Sequence, residues 1–335
     1  MKKTFKALSI SVLFFGFFTA FIPANATGNS NNAPNSNAKG YWDEEKLKNA
    51  KPIELIVDEK TKIGRVETMG KPFAGSKTTS NSGASWNNGG LALTATGKVY
   101  FTIGTAGYVC SGALVNDGLS DRAIVLTAGH CVFDSATGYA TNWMFIPNFD
   151  TFPSFNCATN PSGCWYASNL VARTEFVTAG AFNGQAIQHD WAFAVIYPGG
   201  LNRTTLPDTT PAAQNSFNLD VTGFSAANQV SYAFGYPAAT PYAGNDLIFA
   251  NGPILTDTNY GTWGMSSKMT GGSSGGPWFS NFNTTSKSGN LSSLNSYKYN
   301  NDATRMYGPK FGDKTVASFN AAQNATIGSG NITAR

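Results

Sequence analysis

From residue 91 onward the chain is broken into short apolar runs, too brief for ordinary helices. "GKVYFTI", "YVCSGALV", "RAIVLTA", "NWMFI" and "WAFAVIY" are rich in β-branched and aromatic residues and bounded by Gly, Asn, Asp or Pro. Such runs read as strands closed by turns. "NQVSYAFGY" and "DLIFA" continue the pattern. Many short strands between turn signals predict an all-β barrel or sandwich. One later stretch, "DKTVASFNAAQNA", has helical spacing, with Val316 and Phe319 on one face and Asp313 as its N-cap. Hydrophobic residues at 41% and aromatics at 13% can fill a sizeable core, whereas charged residues, also 13%, are about half as common as usual.

The N-terminal part has a different texture. Lys2, Lys3 and Lys6 precede the apolar "ALSISVLFFGFFTAFI", and Ala24-Asn25-Ala26 offers small residues for cleavage. That order predicts an export signal over residues 1–26. A membrane anchor is the competing reading, but Ser9, Ser11, Gly16 and Thr19 dilute a stretch already short for a span. Residues 27–40 are polar and of low complexity, and are expected to be disordered. "YWDEEKLKNAKPIELIVDE" follows, helix-like until Pro52, and then a loose stretch, "GSKTTSNSGASWNNGG". Residues 27–85 are therefore expected to form a pro-segment or N-terminal extension, and 86–335 the working domain. The formal charge of +4 sits in the parts expected to be removed, since residues 86–335 carry 11 basic and 12 acidic side chains. Nucleic-acid binding, which needs a clustered basic surface, is not supported.

Four cysteines in an exported chain favour disulfides over thiols, and four allow three pairings. The short spacing of Cys157 and Cys164 suits a local staple. A bridge between Cys110 and Cys131 would then close a loop of about 20 residues, contributing on the order of 3 kcal/mol. Zinc is a poor alternative: the chain has two histidines and no CxxC pair.

Three stretches carry chemistry: "LTAGHC" with His130, "HDWAFAVI" with Asp190 and "GGSSGGPW" with Ser274. A hydroxyl is a poor nucleophile until a base takes its proton, and an imidazole held by a buried carboxylate is such a base. Glycines beside the serine let backbone N–H groups turn toward a developing oxyanion. With these residues the chain resembles the trypsin-like, chymotrypsin-fold serine proteases. Thr127 to Cys131 match the family's TA[AG]HC signature. Gly272, Ser274, Gly275, Gly276 and Pro277 match GDSGGP, and "CSGALV" resembles the family's CGGSLI strand. The likeness covers roughly residues 90–335.

The resemblance implies two six-stranded antiparallel β-barrels with a short C-terminal helix, and a secreted endopeptidase that works as a monomer on protein or peptide substrates. No metal or other cofactor and no membrane partner after signal removal is implied. It assigns Ser274 as nucleophile, His130 as base and Asp190 as its orienting acid, with oxyanion N–H groups from Gly272 and Ser274 and a Cys110–Cys131 bridge. Asp134 is a rival acid, but its "FDSATG" setting suggests a solvated turn. His189 should be an ordinary loop residue pointing away from the cleft. The primary pocket falls to Lys268, Met269, Thr270, Ser296 and Lys298, where no aspartate awaits a basic substrate. Lys268 or Lys298 could instead attract an acidic side chain. Ser273 replaces the aspartate that, in animal digestive members, pairs with a newly cut N-terminus. Two other uses of the same sequence are a catalytically silent binding module and an esterase.

Overall fold

The computed structural model describes residues 38–68, 82–150, 155–196 and 215–335. The expected export signal and the polar stretch up to residue 37 lie outside them.

Six strands close into a barrel: Thr96–Ile103, Ala106–Val115, Ala123–Thr127, Thr141–Pro147, Trp165–Arg173 and Ala192–Ile196. Each pairs antiparallel with its neighbours, and Ala113↔Leu126 to Val115↔Ile124 complete the ring. Val99, Val125, Leu126, Phe145, Leu170 and Phe193 are buried within this half. The second half is built from Val230–Gly235, Ile248–Pro253, Pro277–Asn283 and Ser288–Leu294 in one sheet, facing Trp263–Ser266 and Asp302–Gly308. Between them lies a separate core that includes Ile248, Trp263, Met265, Trp278 and Met306. The chain is thus mostly β, with the expected double-barrel architecture.

The C-terminal helix spans Asp313–Gln323, and its N-cap is Gly312 rather than Asp313, which sits in the first turn. There its carboxylate faces the positive end of the helix. Thr315, Ser318 and Ala322 are the buried residues, Phe319 meets Phe193 at 5.4 Å between ring centroids, and Val316 is half-exposed.

Residues assigned by sequence to the extension are built into the body. Asp43 caps the helix Glu44–Asn49. Lys51–Val57 then forms a strand that touches both halves. Lys51 and Pro52 pair with Tyr108 and Val109 of the first barrel, and Leu55, Ile56 and Val57 pair with Tyr297, Lys298 and Tyr299 of the second, all in parallel. Gly64–Thr68 folds back along its other flank. Ser82–Ser85 joins the second half beside Ile248–Pro253 and leads into buried Trp86. The Lys51–Val57 strand therefore lies in the cleft between the barrels.

Candidate active site

His130 sits on a single turn, Gly129–Cys131, immediately after the Ala123–Thr127 strand ends. The Cys110–Cys131 disulfide ties that turn to the neighbouring strand, and Cys157–Cys164 forms the second bridge. Because the two sulfurs next to His130 are bonded to each other, Cys110, His130 and Cys131 form a cluster without free thiolates.

Asp190 is fully buried just before the Ala192–Ile196 strand. Its Oδ1 accepts from the His130 backbone N–H and its Oδ2 faces His130 Nδ1, both at 2.8 Å. A carboxylate only accepts, so Nδ1 carries a hydrogen, and in the neutral ring Nε2 is then the acceptor. Gly129 permits this approach, since a Cβ there would meet Asp190 Oδ1 at 2.9 Å. Ser296, expected in the pocket, instead donates its hydroxyl to Asp190 Oδ2 at 2.6 Å. Asp134 accepts from Ala136, Thr137 and the Thr137 hydroxyl in its own turn. His189 lies against Gln185, Trp191 and Lys314, away from Asp190's carboxylate.

The Ser274 loop is held by a dense backbone network. Ser111 N–H donates to the Ser274 carbonyl at 2.7 Å, and the Ser111 hydroxyl donates to Gly272 O at 2.8 Å. The Asn295 amide donates to Ser273 O and Phe234 O, while its oxygen accepts from the Trp278 indole. Ser273 bonds locally to Thr270 O. Gly272 has φ +96°, and a Cβ there would meet Tyr236 O at 2.9 Å, so glycine is required. Neither Ser111 nor Asn295 was evident as a site residue in the sequence; their only signals are positions beside Cys110 and Ser296.

One expected contact is not made. His130 Nε2 has no hydrogen-bond partner among the described residues, and the Ser274 hydroxyl makes a long 3.4 Å bond to the Ile53 carbonyl. The same carbonyl accepts from Gly272 N–H at 2.9 Å. Ile53 therefore competes for the serine's proton and covers the cleft. Next to it, Glu54 Oε1 lies 3.4 Å from Lys298 Nζ, each side chain only 4% exposed. Burial pushes the Glu54 carboxyl up, opposed by the Lys298 ammonium. The other expected pocket residues point elsewhere. Met269 is buried in the second core, Thr270 donates to Ala239 O, and Lys268 runs beside Ser82 and Gly83.

The crystal structure of protease Anisep from Arthrobacter nicotinovorans is 34% identical to this chain, with a TM-score of 0.57, covering 70% of this chain and 97% of that one. The chain belongs to the chymotrypsin-fold serine proteases. This membership agrees with the thermostable serine protease AL20 from an extremophilic microorganism, 32% identical at TM-score 0.56 over 70% of this chain and all of the other. A Glu endopeptidase structure shares the fold at 16% identity and TM-score 0.53, over 75% of this chain and all of that one. The family model for the lysyl endopeptidase C-terminal domain matches residues 78–189. No curated protein matches the chain. Within this protease family, Ser273 marks a loop held by Ser111 and Asn295, with no carboxylate at that position.

Proposed function

We propose that the chain is the precursor of a secreted serine endopeptidase that cleaves peptide bonds through an acyl-enzyme. Ser274 attacks, His130 Nε2 takes its proton and returns it to the leaving amine, and Asp190 orients the ring and steadies the cation. Gly272 and Ser274 N–H groups hold the oxyanion. The observation that carries this reading is the Ile53 carbonyl, held by Gly272 N–H beside the Ser274 hydroxyl, where a scissile carbonyl would lie. Residues 1–26 act as the export signal and 27–85 as the pro-segment, whose Lys51–Val57 strand blocks the cleft until it is removed. The remaining domain, 86–335, acts as a monomer on proteins or peptides. Two disulfides fit an oxidising compartment, and no helix among the described residues is long and apolar enough to cross a membrane. The pocket residues offer no carboxylate, so a lysyl preference is not carried over from the matched family model.

A fluorophosphonate probe tests the nucleophile. Labelling should map to Ser274 and rise as the pro-segment is lost. Ser274→Ala should abolish labelling and lower peptide turnover by about a million-fold. Retained turnover would place the nucleophile elsewhere. Faster cleavage of simple esters with no action on peptides would identify an esterase.

A further inference from the structure

We propose that Lys298 is the specificity-determining residue of this active site, binding the carboxylate of an acidic substrate side chain that follows the cut. This rests on the protease reading above and names the substrate class of the same site. Ile53 places its carbonyl on Gly272 N–H and the Ser274 hydroxyl, so the backbone at this point occupies the reacting position. Glu54 follows directly, one Cα step of about 3.8 Å away. Its side chain therefore reports which chemistry the adjoining wall of the cleft accepts. That wall is Lys298, and the two side chains meet out of water.

Lys298 is closely indexed to the reacting groups. It follows Asn295, which holds the Ser274 loop, and Ser296, which holds Asp190. Lys268, the other lysine considered for this role, runs beside Ser82–Gly83. When the Lys51–Val57 strand leaves, Glu54 departs with it, and so does Glu67, its cross-strand neighbour. The Lys298 ammonium then loses its counter-ion and keeps the Ala303 carbonyl at 3.4 Å; a substrate that covers it again without supplying a negative charge leaves it buried and unpaired, which is costly. A substrate carboxylate restores the pair, whereas an amide or a second ammonium does not. In this sense Glu54 is a built-in surrogate for the side chain that the enzyme selects.

The test uses the full-length chain, expressed and allowed to mature, with active sites counted by fluorophosphonate labelling. Peptides identical except for Glu, Gln or Lys immediately after the cut are compared by kcat/KM. Glu should exceed Gln by at least about tenfold, because the amide leaves the ammonium unpaired. Lys298→Met should bring that ratio close to one, and Lys298→Glu should shift preference toward Lys. Should these variants fail to fold, the wild-type enzyme still decides. A synthetic peptide of residues 50–58 should inhibit it at least about tenfold better than the same peptide carrying Glu54→Gln. Equal rates on Glu and Gln peptides, or equal inhibition, would overturn the proposal and leave the protease reading intact. Labelling of Ser274 with no cleavage of any peptide would overturn both.

Discussion

Asn295 commits its whole side chain to one task. Both amide hydrogens are spent on the carbonyls of Ser273 and Phe234, and its oxygen takes the Trp278 indole N–H at 2.7 Å. In a loop without an aspartate before Ser274, these bonds and those of Ser111 hold the backbone around Gly272. Asn295→Ala should leave the Trp278 indole N–H without its partner and take one bond from each of the Ser273 and Phe234 carbonyls, lowering stability by about 2–4 kcal/mol. Misplacing an oxyanion donor should also reduce kcat by about a hundredfold. Thermal unfolding and steady-state kinetics measure the two effects. Asn295→Asp should fare no better despite its similar size, because acceptors would then face two carbonyls. The pairing of His130 with Asp190 was legible in the sequence because that chemistry restricts residue type, and the glycine-flanked Ser274 turn because its glycines restrict shape. Asn295 and Ser111 were not, because their roles arise only when segments 61 and 161 residues apart meet.

Strands were readable wherever apolar runs ended in turn residues, while the Cys157–Cys164 bridge was suggested by its short spacing and the Cys110–Cys131 bridge by the family resemblance. "KPIELIV" escaped notice as a strand because Pro52 marks the end of a helix-like stretch. Proline is nevertheless tolerated at the start of a strand, where its missing N–H breaks no necessary ladder bond. The Thr96–Ile103 strand holds a second feature invisible to pattern. Lys98 is buried, its Nζ donating to Gly244 O at 3.0 Å and lying 4.6 Å from the Phe149 ring centroid. Burial pulls its ammonium down to about 7. An unfolded lysine holds its proton up to about 10.4, so between these values the unfolded chain binds more protons than the folded one. The contribution of Lys98 to stability should therefore climb as pH rises from about 7 toward 10, and be constant below that window. Lys98→Met should remove the slope and raise stability at pH 7 by roughly 2 kcal/mol or more, less than the full shift because the Gly244 bond is lost. Chemical denaturation across pH 6–10 tests both; an unchanged slope in the variant would exclude Lys98 as its source.

At the scale of the whole molecule, the two halves meet along a cleft that the chain fills with its own strand. Leu55 and Val57 are fully buried there among Tyr297, Tyr299, Tyr307 and Ile187. The block thus rests on apolar burial as well as on the Ile53 carbonyl and the Glu54 ion pair. Shortening one anchor separates docking from chemistry, since Leu55 belongs to the segment that processing is proposed to remove. Leu55→Ala should cost about 2–5 kcal/mol, a transfer loss plus the cavity left against Tyr297. If that cost falls on docking, the exposed fraction of the cleft rises by roughly 30-fold or more. Fluorophosphonate labelling of the intact precursor should quicken accordingly, with mass analysis confirming that labelled chains still carry the extension. The matured forms of wild type and variant should label at the same rate, because the altered residue is no longer present. Equal labelling of the two precursors would mean that the strand does not gate access to Ser274.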